Sequence, residues 1–160
     1  MTSVDLRQAA QFGRNNIVKA LLEKNVDVNS KDRNGFTALH LAAALGHNDV
    51  VQTLLDAQAT VNVKTSSGFT PLYFAARHGL NTVVQTLLKN DACVDEANND
   101  GGMPFHMACV YNRTHCVLAL LAAGADVHAK LIDGKTAADV ISLVYEGATR
   151  SEEHTSELQS

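Results

Sequence analysis

The stretch NGFTALHLAA, Asn34 to Ala43, decides how the rest of the chain is read. Its glycine, Gly35, recurs as Gly68, Gly101 and Gly134, each 33 residues after the last. Two residues beyond each glycine stand Thr37-Ala38-Leu39-His40, Thr70-Pro71-Leu72-Tyr73, Met103-Pro104-Phe105-His106 and Thr136-Ala137-Ala138-Asp139. Pairs of small residues follow in step at Ala42-Ala43, Ala75-Ala76 and Ala108-Cys109, with Ala9-Ala10 marking an earlier unit. Val50-Val51, Val83-Val84 and Cys116-Val117 keep the same register, as do Leu54-Leu55, Leu87-Leu88 and Leu120-Leu121. A period of this length is the mark of a stacked repeat architecture.

Each unit reads as two short helices. Thr37 and Thr70 can cap the first free N–H groups of a helix, and Pro71 and Pro104 follow where a missing N–H costs nothing. The first helix turns Leu39, Ala42 and Ala43 to one face, and the alanines let a second helix approach closely. Gly13, Gly46 and Gly79 stop it, and in the fourth unit Asn112 takes that place, the other residue that tolerates a left-handed backbone. The second helix carries Val50, Val51, Leu54 and Leu55. Helices of eight to ten residues are marginal alone in water, so stacking between units has to supply the stability.

These residues resemble the ankyrin repeat family, whose 33-residue unit is a β-turn with two helices and a T-P-L-H-x-A signature. TALHLA, TPLYFA and MPFHMA each depart from that signature at one or two places. The resemblance covers roughly Val4 to Tyr145. It implies a mainly α solenoid of stacked helix-turn-helix units joined by β-hairpin turns, with units at about 1–33, 34–66, 67–99 and 100–132 and a partial unit at 133–149. It also implies that the signature histidines, His40 and His106, hydrogen-bond to a neighbouring repeat.

The fifth unit's first helix is expected from about Thr136 to Tyr145. Past it, Arg150 to Ser160 (RSEEHTSELQS) continues no register and resembles, codon for codon, the in-frame translation of a widely used sequencing adapter. It is read as a non-native, disordered tail, which places the break in mid-unit and makes the chain a piece of a longer protein. Met1 aligns with Asn34, so the first unit lacks its hairpin; a true start and an internal methionine both fit.

Composition narrows the function. With 46% apolar and 19% charged residues, the chain has an ordinary globular balance. Thirteen basic residues against seventeen acidic ones give a net charge of −4, and the basic residues are scattered, so the electrostatic footprint of a nucleic-acid binder is missing. CVLALLAAGA, from Cys116, is about half the roughly 20 residues that span a bilayer, and MTSVDLRQAA lacks a signal-peptide core. Cys93, Cys109 and Cys116 form no C-x-x-C pair and fit a reducing compartment. An intracellular, cytoplasmic or nuclear monomer is expected.

Three kinds of chemistry can be weighed. His106, Cys109, His115 and Cys116 are zinc-capable, but Cys109 stands in for a packed alanine and Cys116 for a packed valine. EANNDGG places Glu96, Asn98 and Asp100 before Gly101 like a calcium loop, yet the twelfth position, where a bidentate glutamate is needed, is Met107. No nucleophile elbow, P-loop, metalloprotease motif or dinucleotide turn occurs. No catalysis, cofactor or metal is therefore expected of this segment.

What remains is binding to a protein partner, the general use that the resemblance implies. Phe12, Leu45, His78 and Tyr111 fall at one equivalent position, and Gln11, Ala44, Arg77 and Val110 precede them. At the turns, Phe36 and Phe69 are equivalents, beside the tip residues Arg33 and Asn34. The expected partner surface is Phe12, Arg33, Asn34, Phe36, Leu45, Phe69, Arg77, His78, Val110 and Tyr111. Some of these side chains can equally pack sideways against the next unit. A second reading is that the repeats are the targeting part of a larger enzyme, channel or toxin.

Overall fold

The computed structural model describes residues 2–139 and 142. Within these residues eight helices form four pairs: α1 (Ser3–Gln11) with α2 (Asn15–Glu23), α3 (Ala38–Leu45) with α4 (Asn48–Asp56), α5 (Pro71–His78) with α6 (Asn81–Lys89), and α7 (Pro104–Val110) with α8 (Thr114–Ala122). First helices pack on first helices in the order α1, α3, α5, α7, and second helices on second helices in the order α2, α4, α6, α8. The molecule is a two-layer stack of repeats. Helical backbone resumes at 137–139 and 142; the rest of the expected fifth unit and residues 150–160 lie outside the described residues.

The caps are where residue chemistry places them. Thr70 Oγ1 accepts from Tyr73 N–H at 3.2 Å, and Thr37 Oγ1 accepts from His40 N–H at 3.5 Å. Met103 has no hydroxyl, and there the neighbouring histidine helps: Met103 N–H donates to His106 Nδ1 at 3.2 Å. Pro71 and Pro104 open their helices. The core is a continuous line of small and branched side chains, with Ala42, Ala43, Val50, Val51 and Leu54 fully buried in the second unit alone.

The corner inside each unit has two parts. Gly13, Gly46 and Gly79 are left-handed, as is Asn112 with φ 54°. The next residue, Arg14, His47 or Leu80, takes a φ near −80° and a ψ near 70°, and the N–H after it reaches the glycine carbonyl at 2.9–3.0 Å. That is an inverse γ-turn. A Cβ on Gly13 would lie 2.6 Å from His47 Nδ1, and one on Gly79 would lie 2.7 Å from Arg113 Cδ, so the next unit's side chain occupies the space the glycine leaves.

The tips close as turns and lean on each other. Asp32 N–H donates to Phe36 O at 2.9 Å and Thr65 N–H to Phe69 O at 3.0 Å. Ser66 N–H then donates sideways to Asn34 O at 2.9 Å, Asn99 N–H to Ser67 O at 3.1 Å, and Ile132 N–H to Asp100 O at 3.3 Å. Among the described residues the strand-like pairing is a single antiparallel bridge, Lys130 with Thr136. The arms are too short for a long ladder of their own, so further backbone groups pair with the neighbouring tip.

A further register of left-handed residues is only partly visible by residue type. Each second helix ends with a left-handed residue at Asn25, Gln58, Asp91 or Gly124, after which Ala59 N–H reaches back to Leu54 O at 2.9 Å and its equivalents do likewise. Only the fourth unit uses glycine there. A side chain in this conformation costs about 1–2 kcal/mol, against about 0.5–1 kcal/mol for the extra freedom glycine loses on folding. Gln58→Gly is therefore expected to raise stability by about 0.5–1 kcal/mol, seen as a higher urea midpoint at unchanged slope. A lower midpoint would mean that Gln58 makes contacts worth more than the strain.

Candidate protein-binding surface

Four residues of the expected surface line up along one side of the first-helix layer. Leu45 and His78 end α3 and α5, while Phe12 and Tyr111 directly follow α1 and α7. Phe12 is 59% exposed, Leu45 53% and Tyr111 42%, and His78 is exposed as well. Local folding explains the position: the helix has to stop for the left-handed corner, and the last side chain before the stop stands outside the packed face. Cations sit on both end rings, with Arg14 over Phe12 at 5.8 Å and Arg77 over Tyr111 at 5.3 Å.

Arg77 is anchored from the next unit, because Arg113 Nε donates to its main-chain carbonyl at 3.1 Å. His47 Nε2 and Gln11 O, 3.0 Å apart, form the same link between the first two units. Val110 is half-buried on α7. Arg33 and Asn34 are exposed at a tip, with Asn34 N–H held by Asp32 Oδ1 at 2.8 Å.

Phe36 and Phe69 sit differently. Both are half-buried, and Phe74 joins them, with ring centroids 5.6 Å from Phe36 and 5.5 Å from Phe69. Phe69 also lies 4.7 Å from Tyr73, and Phe36 meets His40 edge-on at 5.6 Å. The two tip phenylalanines thus form a ledge between the second and third units while keeping part of each ring in solvent. Phe74 was not among the expected surface residues. Its equivalents Leu41 and Met107 are large and apolar too, with only Gln8 polar, and that recurring apolar position was the available signal.

The signature histidines bridge units. His40 Nε2 lies 3.0 Å from Phe69 O, and His106 Nε2 lies 3.0 Å from Ala129 O. In both, Nδ1 accepts a main-chain N–H, so the proton sits on Nε2, which donates. Sequence reasoning missed a second bridge. Asn29 Oδ1 accepts from Thr60 N–H at 2.8 Å, Asn62 Oδ1 from Cys93 N–H at 2.7 Å, and Asp95 Oδ1 from Asp126 N–H at 3.0 Å. These residues are also 33 apart, but their partners are main-chain groups that no residue type betrays.

The other candidate chemistries resolve into packing. Cys109 and Cys116 are buried, and burial pushes both thiols above their ordinary pKa, which keeps them protonated as small core residues. Both ring nitrogens of His106 are engaged. In EANNDGG, Asn98 Oδ1 accepts from Asp100 N–H at 3.0 Å and Gly102 N–H at 2.7 Å, which makes it the turn-former of the third tip. Among the described residues no group of three or more His, Cys, Asp or Glu side chains is placed to hold a metal ion, and no helix is long and apolar enough to cross a membrane.

A family model for ankyrin repeats, built of three copies, matches residues 6–66 and 58–131. No curated protein matches the chain. The match runs through all four helix pairs, and together with the 33-residue register of glycines, caps and bridging histidines it places this chain in the ankyrin repeat family.

Proposed function

We propose that the chain is a protein-interaction module without catalysis of its own, and that its partner seats along Phe12, Leu45, His78 and Tyr111. Arg77, Val110 and the tip residues Arg33, Asn34, Phe36 and Phe69 border that seat. Ankyrin repeats are generally protein-binding modules, which supports the class of function. The single observation that carries the location is the exposure of one ring or long apolar side chain per unit at the same position, just before each corner. Exposed aromatic side chains in a row are a costly surface unless something covers them. An intracellular monomer is part of the proposal.

Affinity capture with the full chain, followed by titration of the captured protein, tests it. Leu45→Ala combined with Tyr111→Ala is expected to weaken binding by about 2 kcal/mol or more, carried mainly by the tyrosine, a residue type that often dominates interfaces. Both side chains are largely exposed, so the variant should unfold within about 0.5 kcal/mol of the parent for each change. A variant that folds and binds as the parent does would move the partner to another face.

A further inference from the structure

We propose that the partner's contact segment is an extended, proline-rich peptide in the polyproline II conformation, with an apolar residue at every third position and a carboxylate at each end. The proposal rests on the strip reading above and specifies its ligand. Its first ground is spacing. First helices pack directly on one another, and packed helices stand about 8–10 Å apart, so equivalent side chains repeat at that interval. A polyproline II segment returns a side chain to the same face every three residues, about 9.3 Å on. A β-strand does so every two residues, about 6.7 Å on. An α-helix returns a side chain to one face about 5–6 Å on at i+4 and about 10.5 Å on at i+7, both outside that interval, and its width of about 10–12 Å overfills a strip with one prominent side chain per unit.

The second ground is the chemistry of the strip. Aromatic-lined surfaces suit polyproline segments, whose backbone carbonyls stay free for hydrogen bonds. Phe12 and Tyr111 supply the rings at the two ends of the strip, and His78 and the tyrosine hydroxyl supply polar atoms in its second half. The third ground is charge. The two cation-on-ring pairs, Arg14 on Phe12 and Arg77 on Tyr111, stand at opposite ends of the strip. Neither arginine takes part in the ion pairs Lys64–Glu96 and Lys135–Asp133, and each guanidinium lies over a ring, where it can meet a partner's carboxylate. Three steps of about 9.3 Å separate the ends, a span of about 28 Å that nine or ten polyproline II residues cover.

The probe is a synthetic peptide of four Pro-Pro-Leu triplets with aspartate at both ends, titrated against the full chain by calorimetry. Three comparisons accompany it: an isomer with the leucines at alternate positions, a version with asparagine ends, and an all-helical peptide carrying the same four leucines on one face. The triplet peptide is expected to bind at least about tenfold more tightly than each of the three, a factor of ten being about 1.4 kcal/mol. Arg14→Gln with Arg77→Gln should erase the advantage of aspartate over asparagine ends, and Leu45→Ala with Tyr111→Ala should weaken the triplet peptide at least about tenfold. Equal binding of the leucine isomers, tighter binding of the helical peptide, or no binding of the triplet peptide overturns the proposal. If the peptide fails while the Leu45 and Tyr111 changes still abolish capture of a protein partner, the strip stands and only the ligand is wrong. If those changes leave capture intact, the strip itself is wrong.

Discussion

Replacing Leu54 with alanine is expected to destabilise the chain by about 2–5 kcal/mol, enough to remove much of the stability of a domain this size. Leu54 lies on α4 with its side chain fully buried in the common core. Truncation removes apolar contact and leaves a cavity that neighbouring units, held in register by their own caps and corners, can close only in part. In a stack, each unit depends on the interfaces with the units beside it, so a hole in the second layer weakens α2 and α6 as well as α4. Leu118→Ala is the matched control. It makes the same chemical change at a residue that is 60% exposed, where the equivalents are Lys19, Gln52 and Gln85, and should shift stability by no more than about 0.5 kcal/mol. Urea unfolding of the two variants beside the parent measures both. Similar losses in the two would mean that α8 is covered by something that makes Leu118 a core residue.

The fold was legible because the same physical constraint recurs in every unit and is met by the same residue type. Gly35, Gly68 and Gly101 combine a left-handed backbone with a neighbour's tip so close that a Cβ would lie 2.8 Å, 2.8 Å and 3.1 Å from Ser66, Asn99 and Ile132 N, and only glycine satisfies both demands. Asn112 could be read as a corner because asparagine is the usual second choice there. The left-handed ends at Gln58 and Asp91 could not, since nothing about glutamine or aspartate announces that conformation. The candidate strip was legible for a related reason: a position just before a mandatory corner is outside the packed face in every unit. The burial of Phe36 and Phe69 was not, because it depends on Phe74, and a ring that fills a gap between two units follows from neither unit's pattern alone.

Acid should destabilise the protein through His40. Burial is the main cause that lowers its pKa from the ordinary 6.5 to about 4, partly opposed by its hydrogen bonds to main-chain carbonyls of Phe69 and Val63. The geometry gives the reason. Nδ1 accepts from Thr37 N–H at 3.1 Å, so a proton added there meets another donor, inside a site walled by the rings of Phe36 and Phe74. In the unfolded chain the imidazole takes its proton near pH 6.5, whereas in the folded chain it resists until about pH 4. Between those values the unfolded state binds more protons, so stability is full above the upper value and falls as the pH drops toward the lower one. At about 1.4 kcal/mol per pH unit, the whole loss comes to roughly 3 kcal/mol, and none is added by this residue below about pH 4. The depressed carboxylates Asp5, Asp133 and Asp139 start from 3.8 and act at still lower pH, outside this window. Urea unfolding at pH 7, 5.5 and 4.5 should therefore give a falling stability in the parent and a flatter one in His40→Gln, which starts lower but has no imidazole to protonate. If the two lines run parallel, protonation of His40 is not what acid does to this stack, and the histidine's contribution lies in its bonds to Thr37 and Phe69.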